Sequence, residues 1–128
     1  MSKGHIYFVI QAEDTKRAID FYSGVFGWKF SEVKGLPIPY WTIETGASRG
    51  GLLKRPAPAP PPGSGTNAFV CSLEVEKFDA TEKQILQQGG IVALPKFAVP
   101  KTCWQGYFVD TEGNTFGIFE VDPNAGVR

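Results

Sequence analysis

The chain has 128 residues, 42% hydrophobic and 20% charged, a balance that fits a folded domain with a real core and excludes a disordered or fibrous chain. Thirteen basic and thirteen acidic residues cancel, so no basic stripe invites nucleic acid and no charge run marks a tail. No apolar run approaches membrane-spanning length and the start, Met-Ser-Lys-Gly-His, lacks the apolar centre of a signal peptide, so a cytoplasmic location without membrane association is expected.

Residues 5–11 alternate as a strand does, with Ile6, Phe8 and Ile10 on one face and His5, Tyr7 and Val9 on the other. Asp14 is placed to cap a helix whose apolar residues, Ala18, Ile19, Tyr22, Val25 and Phe26, recur at helical spacing until Gly27 stops it. Residues 28–33 and 40–45 read as strands about the turn Lys34-Gly35-Leu36-Pro37, and 50–54 as a short fourth strand. Residues 55–66, RPAPAPPPGSGT, are too rich in proline to pair in a sheet and favour polyproline II. They read as a semi-rigid spacer, with an SH3-type ligand as the other reading. Residues 68–75 form a strand, 78–88 a helix ended by Gly89-Gly90, and 91–94 another strand. Two apolar arms about Asp110-Thr111-Glu112-Gly113-Asn114 then make a hairpin, Gly113 supplying the positive φ. Trp104 stands just before it, on a face that alternation leaves undetermined. Cys71 and Cys103 lie in apolar runs and are expected to be reduced, buried and structural.

The chain says nearly the same thing twice. A shift of 66 residues lays Tyr107 over Trp41, Val109 over Ile43, Thr111 over Thr45, Gly117 over Gly51 and Glu120 over Lys54. A shift of 63 matches the segments before each hairpin, Ala12-Glu13-Asp14 under Val75-Glu76-Lys77. Such self-similarity indicates an internal duplication. One domain, 1–128, is expected to hold module one at 5–54, the Pro-rich linker at 55–66, module two at 67–120 and a short tail at 121–128, each module ordered β-α-β-β-β.

The segments Asp14-Thr15-Lys16-Arg17-Ala18-Ile19-Asp20-Phe21-Tyr22 and Val25-Phe26-Gly27-Trp28-Lys29-Phe30 resemble the first helix and second strand of the vicinal oxygen chelate superfamily. Within it they are similar to the glyoxalase-like subgroup, beside bleomycin-resistance proteins and extradiol dioxygenases. Asp110 to Asn114, leading to Phe116-Gly117-Ile118-Phe119-Glu120, is similar to the last hairpin of that superfamily. The resemblance implies an α+β fold in which tandem βαβββ modules form an open, cup-shaped mixed β-barrel with the helices outside. It also implies a small molecule in the cup, and in metal-dependent members four ligands at the first and last strands of the modules. Here those positions are His5, Lys54, Ala68 and Glu120.

Two of these depart from the pattern. Ala68 has no donor atom, its neighbour Asn67 offers only an amide, and Lys54 brings a cation that opposes a metal ion. His5 and Glu120 alone fall short of the three or four ligands of zinc-type sites. No complete metal site and no cofactor are therefore expected, a divalent metal weakly held by His5 and Glu120 being the alternative. By alternation Tyr7, Trp41, Leu52, Val70 and Ile118 would line the cup, with His5, Lys54 and Glu120 as its polar points. A filled barrel core would have the same lining. Lys54 is expected either to replace the metal by an ion pair with Glu120 or to point to solvent. The first function implied is metal-independent binding of a small apolar or aromatic molecule. The second is a lyase or isomerase in which His5 or Glu120 moves a proton, and the third a scaffold recognised through residues 55–63. A homodimer is expected, because an open barrel leaves strand edges to cover.

Overall fold

The computed structural model describes residues 2–55, 58, 61 and 69–127, apart from the side chains of residues 2 and 3. Most of the Pro-rich linker, Ala68 and Asn67 lie outside the described residues. The chain divides into two compact units, one of residues 7–69 and one of residues 1–6 with 70–128.

In the first unit β1 (Ser2–Ala12), whose residues from Tyr7 onward belong here, leads to α1 (Thr15–Phe26), β2 (Lys29–Glu32), β3 (Tyr40–Glu44) and β4 (Arg49–Lys54). The helix begins and ends where local chemistry dictates. Asp14 Oδ1 accepts the Arg17 N–H at 3.0 Å, and Gly27, at φ 71°, donates its N–H to the Ser23 carbonyl at 2.9 Å. Strands β2, β3 and β4 run antiparallel in turn, and β4 pairs parallel to β1 with Ile10 opposite Leu52. The core is Ile10, Ile43 and Leu52, with Ala18, Ile19 and Tyr22 of α1 packed onto it.

The second unit repeats the order: β5 (Val70–Val75), α2 (Phe78–Gln87), β6 (Ile91–Val99), β7 (Cys103–Val109) and β8 (Thr115–Val121). β5 is parallel to β8, and β6, β7 and β8 are antiparallel neighbours. Val75, Phe78, Phe108 and Ile118 form its core, supported by Ile85, Trp104 and Phe116. Gly106 is required there, because a Cβ would stand 2.6 Å from the Phe78 ring. The hydrogen-bonded order is β2-β3-β4-β1 in the first unit and β5-β8-β7-β6 in the second, mixed parallel and antiparallel in each.

Two sequence expectations need correction. β6 runs past Leu94 to Val99 and through Pro95, which an edge strand tolerates because no ladder partner needs the missing N–H. Cys71 is exposed, and only Cys103 is buried. The apolar alternation of β5 is satisfied at its far end, where Val75 meets Phe78, while Cys71 sits near its start.

Candidate functional site

A strand has two faces, and in each unit the helix takes one of them. In the second unit α2 covers the face carrying Val75, Phe108 and Ile118. Alternation turns Val70, Ser72 and Glu74 of β5, Gln105 and Tyr107 of β7, and Gly117 and Phe119 of β8 to the other face. That face is tightly made at its centre. A Cβ on Gly117 would meet Gln105 Nε2 and Ser72 Oγ at 2.8 Å and the Tyr107 ring at 2.9 Å, so only glycine lets these three side chains close over the backbone. Gln105 Nε2 donates to Ser72 Oγ at 3.0 Å and to the Gly106 carbonyl at 3.2 Å.

Beside this pair stands a second one. His5 Nδ1 lies 3.1 Å from Glu74 Oε1. Ser72 is 1% and Glu74 8% exposed, while His5 is largely open to solvent. A carboxylate withdrawn from water thus holds one nitrogen of an imidazole whose body faces solvent. Buried polar groups persist only when hydrogen-bonded, and both here are.

The residues singled out from the sequence divide between the faces. His5 and Val70 share the face just described, and Tyr7 takes the corresponding face of the first unit, its hydroxyl 3.2 Å from that of Tyr40. Leu52 and Ile118 do not line a cup. They are 0% and 1% exposed in the two hydrophobic cores, and Trp41 packs on the first core beside Leu52. Trp104, whose face was undetermined, packs on the second core and donates its indole N–H to Asp122 Oδ2 at 3.0 Å.

Lys54 and Glu120 also sit on the helix-bearing faces. The Glu120 carboxylate accepts the backbone N–H of Phe78 at 2.7 Å. It caps α2 from another element, and Lys77, at the cap position itself, makes no side-chain bond there. The Lys54 ammonium donates to the Glu13 carbonyl, just before α1. Each of these repeat counterparts ties the end of its module's last strand to the start of its module's helix. The ion pair expected between them gives way to two local tethers, and Glu120, committed to an amide, is removed from the polar points of the site.

Ser72, Glu74, Gln105 and Tyr107 were missed in the sequence. A signal was present in β5, where Ser72 and Glu74 alternate with the apolar Cys71, Leu73 and Val75. The polar set marks the face that the helix does not cover.

Among the described residues no group of three or more His, Cys, Asp or Glu could hold a metal ion. His5 and Glu74 supply two donors, fewer than zinc-type sites use.

Two βαβββ modules, the second with a polar patch on the face away from its helix, define an α+β protein of tandem-module type. Residues 4–118 match the Glyoxalase/Bleomycin resistance protein/Dioxygenase superfamily, and the chain belongs to that superfamily. A glyoxylase-like domain-containing protein of Didymella fabae is 30% identical over 118 residues, covering 85% of this chain and 87% of the relative. Among solved structures, the methylmalonyl-CoA epimerase of Streptomyces coelicolor is 14% identical with a TM-score of 0.69, over 98% of this chain and 99% of that one. A hypothetical protein of Bacillus halodurans is 16% identical with a TM-score of 0.67, over 93% and 94%. At such identities the structural likeness is one of fold. No helix among the described residues is long and apolar enough to cross a membrane.

Proposed function

We propose that the protein binds a small organic molecule with an apolar or aromatic body on the second unit's helix-free face, without a resident metal. The observation that carries this is the pair of buried polar residues, Ser72 and Glu74, each bonded to a neighbour, Gln105 and His5. Tyr107, Val70 and Phe119 stand beside them. A few fixed polar groups within apolar and aromatic surroundings are the usual makeup of a small-molecule site. The hydrophobic core of this unit is already complete on the other face, so these polar residues are not needed to fill it.

The test is a screen of small aromatic and aliphatic compounds by thermal shift, with hits mapped by amide chemical shifts. Binders should perturb residues 5, 70–74, 105–107 and 117–119, and His5→Ala should weaken them. Hits that map elsewhere, or binding unchanged in Ser72→Val and His5→Ala, would remove the assignment.

One contact favours a second reading, a lyase or isomerase. An imidazole oriented by a buried carboxylate at 3.1 Å is equipped to carry a proton to or from a bound molecule. The methylmalonyl-CoA epimerase among the fold neighbours agrees with an isomerase class. Under this reading a bound ligand incorporates solvent deuterium at a carbon, and Glu74→Gln slows the exchange while leaving the ligand bound. Binding with no exchange would leave the first reading alone.

A further inference from the structure

A separate feature of the first unit is a cleft of about 430 Å³ where β1 hands over to α1, a volume within the ordinary range for small organic ligands. We propose that this cleft binds a small carboxylic acid with an apolar body. Its apolar wall is Ala12, Ala18 and Phe21, and the Phe21 ring is 57% exposed, a large cost in bare apolar surface if nothing covers it. Arg17 and Arg55 line the same space. Arg17 rides on the first turn of α1, its backbone N–H held by Asp14, and its neighbour Lys16, unlike it, is spent on Asp20 at 2.9 Å. Arg55 is anchored at the other side, its N–H on the Ala12 carbonyl at 2.9 Å and its Nη2 on the Gln11 carbonyl at 3.4 Å. Planar guanidinium groups match a carboxylate with two parallel hydrogen bonds.

The remaining charges narrow the class. Glu13 and Asp14 also line the cleft, and the Lys54 ammonium sits on the Glu13 carbonyl. With the Lys54 ammonium beside them, the two guanidiniums outweigh the two carboxylates by one positive charge, so a monocarboxylate suits these surroundings better than a phosphate dianion. This site lies on the helix-bearing side of the first unit, and the inference stands independently of the ligand proposed for the Ser72 and Glu74 face.

The experiment is a titration of the whole protein with 3-phenylpropionate, followed by amide chemical shifts, beside its neutral amide and phenyl phosphate. Shifts should cluster at residues 11–21 and 55, and the amide and the phosphate should bind at least roughly fivefold more weakly, as loss or mismatch of a charged hydrogen bond implies. Arg17→Gln, a change at an exposed position, should weaken the acid by a similar factor while the rest of the spectrum stays native. Phe21→Ala should weaken it as well, through the apolar body. No shift at these residues would overturn the proposal, and equal binding of the amide would reduce the cleft to an apolar contact. Tighter binding of the phosphate would exclude the carboxylate class, and shifts confined to residues 70–74 and 105–107 would assign the acid to the other site.

Discussion

Cys103 is buried in β7, and burial pushes its thiol up to about 11, because a low-dielectric surrounding disfavours the thiolate. Cys71, in an equally apolar run of sequence, is exposed. The two should differ in reactivity, since the thiolate is the nucleophile. At about pH 8 only about a thousandth of Cys103 is ionised, whereas Cys71 is open to reagent. Iodoacetamide should add one equivalent to the native protein, located at Cys71 by peptide mapping, and a second only in denaturant. Equal labelling of both in the native state would contradict the burial of Cys103.

At the scale of elements, Glu120 and Lys54 show how one duplicated position is used in two chemical ways. At the start of α2 the orphan N–H of Phe78 receives a carboxylate from β8 at 2.7 Å, a negative group where the helix dipole favours one. At the start of α1 Asp14 already caps the helix, and the counterpart Lys54 holds the preceding carbonyl instead. Replacing Glu120 by Ala should cost about 1 kcal/mol, the usual worth of a helix cap, measured by urea unfolding. Glu120→Gln, which keeps a carbonyl acceptor, should recover much of that loss. No change in Glu120→Ala would mean that α2 is held by its packing alone. The duplication itself was legible, but the role of its last residue was not, because a strand-end acid looks the same whether it meets solvent, a metal or a helix.

At the scale of the whole molecule, β6 pairs, among the described residues, with β7 alone, and exposes Ile91, Val92, Leu94 and Phe97. Apolar side chains along a strand edge are a liability that proteins cover. We propose that a second copy covers them in a two-fold pair, the commonest soluble assembly. Pro95 interrupts the donors of this edge, so contact through side chains is favoured over a continued ladder. Sedimentation at about 50 micromolar, a concentration at which a micromolar dimer is populated, should show a dimer, and Leu94→Lys should shift it to monomer. Only monomer in the parent protein would remove the proposal.

The order of elements was decided by local chemistry and could be read directly. Asp14 and Gly27 bound α1, the hairpin turn is set by Gly113, at φ 83°, and the repeat makes the second module's order follow from the first. Membership of the superfamily followed from the same segments. The faces were another matter. A period of two assigns residues to two sides of a sheet but does not say which side a helix will take. Leu52 and Ile118 were as suitable for a cup as for a core, and the packing of α1 and α2 decided for the core. The same packing moved Lys54 and Glu120 to the helix side and left the opposite face to His5, Ser72, Glu74 and Gln105. Their meeting joins residues far apart in the chain, 5 with 74 and 72 with 105. It depends on strand register and on a glycine at 117 that lets side chains close over the backbone, and those are properties that only the folded chain possesses.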